Sequence, residues 1–403
     1  MGNGKIVVFG AGNIGRSFVG QLFARAGWET VFSDVDAALV AEINRRREYL
    51  VVIKREGRPD EAIPVRGVRA VDGRDLAAVA AELSDAELAS VSVGKAALPK
   101  VLPSIAAGLL ARQKRARAAG SEVPPLDLII AENDREARDT IRAGLASLLP
   151  SGFPLGSRLG LVEASIGKMV PIMRAEDLAA DRLRVFAEAY NELIVDGRGF
   201  LGPAPSVPGL APAANIEAYV DRKLFVHNLG HAAVAYLGFR ADPSERLICR
   251  ALRLPGLRDA ARRAMGQAAA ALALEYPGEL SPASLEEHID DLLERFGNSA
   301  LGDTIYRVGR DLSRKLHKSD RVVGAALLCE RRGLPWDGIA AVFDAALGFD
   351  ARDEAGAAFP PDSGFREALA RGGLEAALGE ICGLVDDDPA EARVKRALAT
   401  ARR

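Results

Sequence analysis

A doubly wound α/β domain followed by a mostly α-helical domain is the fold class this sequence predicts, on three observations. The first thirty-four residues read as strand, glycine turn, helix and strand. Apolar runs then alternate with helical stretches, the order that builds a mostly parallel sheet covered on both sides. Beyond a Gly- and Pro-rich break the chain turns Ala-, Leu- and Arg-rich with helical periodicity. The expected division is 1–196 for the α/β domain, 197–213 for a connection and 214–403 for an all-helical domain that carries substrate and catalysis.

Residues 5 to 9, Lys-Ile-Val-Val-Phe, read as a buried strand, Arg16 to Ala26 as a helix ended by Gly27, and Glu29 to Asp34 as a second strand. Leu88 to Gly94 and Leu126 to Ala131 are further strands, alternating with helices over Val101 to Ala118 and Glu136 to Leu149. Gly197 to Pro212 is so rich in Gly and Pro that no regular structure is expected there.

At 403 residues the chain exceeds a single ordinary core, and 49% hydrophobic with 27% charged residues is a globular composition. Fifty-five acids against 53 bases give a formal charge of -2, so neither nucleic acid nor an anionic membrane is an expected partner. Cys249, Cys329 and Cys382 are too far apart for a CxxC site and read as reduced, packed thiols. No apolar run approaches a membrane span and the amino terminus lacks a signal-peptide layout, so a cytoplasmic location is expected, as a monomer or small homo-oligomer.

Gly10-Ala11-Gly12-Asn13-Ile14-Gly15 lies between the first strand and its helix. The first glycine permits the tight turn, the second lets backbone approach a pyrophosphate, and the third packs helix against strand. Asp34, nineteen residues after Gly15, ends the second strand, where a carboxylate can accept from both adenosine ribose hydroxyls. This Rossmann-type arrangement points to NAD as cofactor, because a 2′-phosphate beside Asp34 would be repelled. Asp36 is expected to begin the next helix instead.

The segment Lys223 to Gly238 carries Lys223, His227, Asn228 and His231 inside a helical apolar pattern. At ~100° per residue the order Lys223, His227, His231, Asn228 falls at about 0°, 40°, 80° and 140°, one face along two turns. A partly desolvated lysine flanked by amide and imidazole is suited to proton transfer on an alcohol or carbonyl. Arg307, Arg310 and Arg314 would share a stripe ~60° wide on a continuous helix, a phosphate clamp if they are not paired with acids. His288 and His317 have no supporting neighbours and are expected to be solvated, and the four histidines form no metal-binding pattern.

These residues resemble the polyol-specific long-chain dehydrogenases. The family signature Lys-x-x-x-x-Asn-x-x-His is matched by Lys223, Asn228 and His231. Gly-Ala-Gly-Asn-Ile-Gly-Arg at 10 to 16, the Glu132-Asn133 pair and the Arg307 to Lys315 stretch also match. The resemblance implies metal-free, NAD-dependent oxidation of a secondary alcohol, with Lys223 as general acid/base. It further implies that Asn228 and Asn133 hold the substrate oxygen and that His231 positions the hydroxyl. Gly94 joins the cofactor loops, Arg307 and Lys315 fall where the family contacts polyol hydroxyls, and Arg310 and Arg314 become candidates for a phosphate end, followed by Lys318 and Arg321. The branch most resembled interconverts mannitol 1-phosphate and fructose 6-phosphate. The sequence departs from the family at Gly167-Lys168, where an acidic residue and an arginine are usual, at Gly94-Lys95 and at Leu229. An unphosphorylated polyol or a sugar acid as substrate therefore stays open, as does a silent NAD-binding sensor.

Overall fold

The computed structural model describes residues 4–400 apart from Ile172 and Arg174. The chain divides into two compact units, Met1–Ile216 and Glu217–Arg403. Among the described residues no helix is long and apolar enough to cross a membrane.

Among the described residues the first unit holds eleven strands: β1 (Lys5–Phe9), β2 (Glu29–Asp34), β3 (Glu48–Ile53), β4 (Glu61–Arg66), β5 (Val68–Asp72), β6 (Leu88–Val91), β7 (Leu126–Ile130), β8 (Leu159–Ser165), β9 (Val185–Ala187), β10 (Leu193–Asp196) and β11 (Leu210–Ala213). Eight form one sheet in the order β11-β10-β8-β7-β6-β1-β2-β5. From β8 to β5 every pairing is parallel, and β10 runs antiparallel to β8. Alternation along β1 shows why both faces are covered: Ile6 and Val8 enter one apolar cluster, Val7 and Phe9 the other. A second sheet, β4-β3-β9, was not foreseen, and its Tyr49, Val51 and Ile53 pack into the cluster of Ile6 and Val8.

The Gly- and Pro-rich stretch carries no helix or strand over 200–209, as expected, but is regular at its two ends. Gly197–Gly199 forms a 3₁₀ turn capped by Asp196, and β11 pairs in parallel with β10, all inside the first unit. Pro212 is tolerated because β11 is the edge of the sheet, where a missing N–H breaks no second ladder.

The helix Leu98–Ala119 is tied to the sheet by Arg112, whose buried guanidinium donates to the carbonyls of Leu83 (2.8 Å), Ala86 (2.5 Å), Pro124 (3.1 Å) and Pro125 (2.7 Å). Those carbonyls belong to the segments that enter β6 and β7.

Within the second unit the described residues form helices and one isolated bridge, Leu247 to Thr304. Leu229–Ala241 is apolar around its whole circumference, so it lies at the centre, against Leu257–Glu275, Ile305–Gly309 and Asp337–Leu347. A side chain at Gly230 would overlap Met265, so its hydrogen is what allows this close crossing. Tyr236, fully buried, donates to the Gly309 carbonyl at 2.9 Å.

Arg112→Ala leaves four loop carbonyls without their donor. We expect a loss of about 3 kcal/mol from the first unit. Thermal unfolding followed by calorimetry should show one transition moving down while the other stays in place.

Candidate functional site

At the carboxyl end of β1 the chain turns on Gly10, whose φ of +93° is open to glycine. Space around Gly12 is open where a side chain would stand, whereas a Cβ on Gly15 would overlap the Gly10 carbonyl. These are the conditions a dinucleotide loop requires, backbone approach at one glycine and tight packing at another. Helical structure begins at Asn13 and Ile14, runs as a π-helix over Gly15–Gly20 and continues as α-helix over Gln21–Arg25, where a simple α-helix from Arg16 was expected.

Ala11 is gripped from both sides. Its N–H donates to Asp34 Oδ2 at 2.7 Å, and its carbonyl accepts from buried Arg16 Nε at 2.6 Å. Arg16 also donates to the Leu183 carbonyl at 2.6 Å, and burial lowers its pKa. Asp34 Oδ1 accepts from the Asp36 N–H at 2.9 Å, so each carboxylate oxygen keeps a lone pair for a ligand hydroxyl. Asp36 caps the helix Ala37–Arg46 and pairs with Arg182. Gly94, at φ +85°, sits in a loop held by Glu132, whose carboxylate accepts from Val93 N–H (2.7 Å) and Gly94 N–H (2.9 Å); burial raises its pKa. Asn133 follows, exposed, and is not the cap of the next helix, a place taken by Glu136. Lys168, at one of the departures from the family pattern, is buried over the Phe18 ring and donates to Asn191 at 2.7 Å, which gives it a packing role.

In the second unit Lys223–Asn228 is a π-helix, flanked by Ile216–Arg222 and Leu229–Ala241. This corrects the ~140° expected between Lys223 and Asn228. A π turn closes from i to i+5, so residues five apart stand nearly above one another. His231, three residues further along regular helix, returns to the same side. Lys223 is partly buried, and burial, with the Arg321 charge as a second cause, brings its pKa down to about 8. His231 is lowered to about 3 by burial and then by Arg307, Lys315 and Arg321, so the imidazole is neutral. Its ring stacks on Phe296, centroids 4.7 Å apart, and Nε2 lies 3.4 Å from Asp303 Oδ2. His227 is buried beside the same phenylalanine, with its pKa driven down by burial.

The arginine stripe does not exist as a helix face. Helix Ile305–Gly309 ends at Arg310, Asp311 is left-handed at φ +74°, and a new turn runs over Leu312–Lys315. Buried Asp362, some fifty residues on, accepts from the N–H groups of Asp311 (3.2 Å) and Leu312 (2.6 Å) and stabilises the break. Arg307 pairs with Asp303, and Arg314 pairs with Asp311 (2.5 Å) and Asp320 (3.2 Å). Lys318 pairs with Glu391 at 2.9 Å. Arg310 lies over the rings of Tyr306 (5.4 Å) and Phe359 (5.0 Å), and no carboxylate among the described residues pairs with it. Lys315 is buried, donates to the Val308 carbonyl at 2.5 Å and is lowered to about 7, first by burial and then by Arg321 and Arg314. His288 is partly buried rather than solvated, its pKa lowered to about 3 by burial and then by Arg222 and Arg295. Sequence reasoning missed Asp303 and Phe296, and it placed Arg16 in the matched motif without a role. An acid four residues before Arg307 is the one local signal that could have found Asp303.

Two family models together cover most of the chain. The Mannitol dehydrogenase Rossmann domain matches residues 4–209, and the Mannitol dehydrogenase C-terminal domain matches residues 215–380. A mannitol-1-phosphate 5-dehydrogenase of Brevibacillus brevis is 35% identical over 351 residues, 87% of each chain. Among solved structures, an octopine dehydrogenase described as ODH-NADH-Pyruvate has 12% identity and a TM-score of 0.48, covering 89% of this chain and 93% of that one. A D-mandelate dehydrogenase in a ternary complex with NADH and anilino(oxo)acetate has 14% identity and a TM-score of 0.46, covering 85% and 96%.

The Lys223 pKa has a consequence for stability. Because its folded value of about 8 lies below the unfolded one, folding with a charged amine is penalised. The penalty is full below about pH 8 and fades as pH rises toward 10.5, where the unfolded chain also loses the proton. Lys223→Met should therefore be more stable than the wild type by on the order of 1 kcal/mol at pH 7. Denaturant unfolding should show this advantage shrinking above pH 9.

Proposed function

The chain belongs to the mannitol dehydrogenase family, oxidoreductases acting on CH–OH groups, and from that premise we propose that it interconverts mannitol 1-phosphate and fructose 6-phosphate with NAD. The observation that carries the reading is Lys223, an amine brought to about 8 and set five residues from Asn228 on a π turn. Neutral Lys223 takes the hydroxyl proton during oxidation, and its ammonium form returns a proton to the carbonyl oxygen during reduction. The Asn228 amide stabilises the developing alkoxide, and neutral His231 orients the hydroxyl. Bound NAD supplies the hydride acceptor. Gly10 to Gly15 would hold its pyrophosphate and Asp34 its ribose, whose free lone pairs favour NAD over a 2′-phosphorylated cofactor.

A phosphorylated substrate is supported by Arg310, an oriented guanidinium that no carboxylate among the described residues pairs with, and by the name of the Brevibacillus brevis relative. Arg307 and Lys315 are then the contacts to polyol hydroxyls. A second reading, a sugar acid or an unphosphorylated polyol, is favoured by one observation: Arg314 is already engaged by Asp311 and Asp320, which leaves Arg310 as the principal cation for the far end of the substrate.

Turnover should be fast with fructose 6-phosphate and NADH and slow with fructose, fructuronate or NADPH, read as absorbance loss on NADH oxidation; a preference for fructuronate would reassign Arg310 to a carboxylate. The oxidation rate should climb as pH passes about 8, where Lys223 loses its proton, and the reduction rate should fall over the same interval. Lys223→Ala should lose roughly 10²–10⁴-fold in turnover while still binding NADH. Near-normal turnover in that variant would remove Lys223 from the mechanism.

A further inference from the structure

Asp303 is a buried carboxylate to which the mechanism above assigns no role. Its backbone is fixed on both sides: its carbonyl accepts from Ile248 N–H at 3.0 Å, and Ile305 N–H donates to the Arg246 carbonyl at 2.8 Å. Upstream, Asn298 caps the turn Ser299–Leu301, which ends on left-handed Gly302. Downstream, Thr304 Oγ1 accepts from Arg307 N–H at 3.1 Å and starts the helix that carries Arg307. The side chain is thus presented from a rigid corner, one oxygen against Arg307 and the other 3.4 Å from His231 Nε2.

A carboxylate paired with a guanidinium has lone pairs and no proton to offer. An imidazole that turned a bare Nε2 toward it would set lone pair against lone pair, so Nε2 carries the hydrogen and Nδ1 is left as the acceptor. At this separation no hydrogen bond is formed, and buried His231 Nε2 has no other hydrogen-bond partner among the described residues, so Asp303 is the group positioned to take its hydrogen once substrate draws the contact in. The parallel Phe296 ring restricts His231 from rotating away from this partner.

We propose that Asp303 is the positioning residue of the site: it holds His231 as the Nε2–H tautomer, so that Nδ1 accepts from a substrate hydroxyl next to the one whose proton Lys223 takes, and it ties this histidine to Arg307 through its second oxygen. The inference rests on the reading of His231 as the residue that orients a substrate hydroxyl. It makes one carboxylate responsible for two ligand-facing groups, which ordinary packing does not require.

The test is two-bond ¹H–¹⁵N correlation on histidine-labelled full-length protein without ligand, the His231 signals being assigned from His231→Gln. Wild type should show the Nε2–H pattern at His231, and Asp303→Asn, whose amide can present either oxygen or nitrogen, should lose it or show a mixture. Turnover in Asp303→Asn should fall at least ~10-fold with NADH affinity unchanged, and Asp303→Glu should recover part of it. An Nδ1–H pattern in the wild type would overturn the proposal, and so would normal turnover in Asp303→Asn. The tautomer is read on the free protein, so an enzyme silent on every polyol would sink the functional reading and leave this measurement standing. Should Asp303→Asn fail to fold, the wild-type spectrum alone still decides.

Discussion

Withdrawal of a lysine amine from water is the constraint around which the second unit is arranged. An ammonium loses most of its hydration when it is buried, and the neighbouring Arg321 charge adds to the cost instead of relieving it. Burial and the Arg321 charge act in the same direction, toward an amine that exchanges its proton near neutrality. Lys315 and His231 respond to the same surroundings, so the three bases share one desolvated and positively charged environment. Such an environment is costly to build and disposed to receive negative charge, whether an alkoxide in formation or an anionic group on a ligand.

The first unit solves a different problem, which is to fix the backbone of small-residue loops at the end of a parallel sheet. Asp34 and Arg16 hold Ala11 through its two peptide groups, and Glu132 does the same for the loop at Gly94. In each case a side chain from a neighbouring strand end, or from the helix that follows, takes over the hydrogen bonding that a loop otherwise seeks from water. The loops are therefore set before any ligand arrives, and a dinucleotide meets a surface that needs little ordering.

Much of this was legible in the sequence because its causes are local. Strand, glycine turn, helix and acid follow one another within thirty-four residues, and the alternation of β1 into two apolar clusters is the period-two pattern of a strand buried on both sides. The residues Lys223, Asn228 and His231 are named by their match to a family signature, which is itself a local spacing. What escaped depended on distant partners. The break at Asp311 is stabilised by Asp362, so no window around Arg307 to Arg314 reveals that the arginines leave the helix face. The strand Leu210–Ala213 survives its proline because of where it sits in the sheet order, and β3 finds its partners in β4 and in β9, the latter more than a hundred residues away. The π turns follow from no residue propensity at all.

The π turn at Lys223–Asn228 amounts to one residue more than a regular helix would use over the same rise. Substitution of Leu224 or Val226 leaves that count intact, so side chains there are free to drift within the limits of packing. Loss of a single residue between Lys223 and Asn228 would restore an ordinary helix with the lysine and asparagine four apart, still within about 40° of one another, whereas the same loss inside a regular helix swings what precedes it by about 100°. The π turn thus absorbs one residue without turning the faces on either side of it, so the five-residue spacing presents lysine and asparagine much as a four-residue spacing on an ordinary helix would.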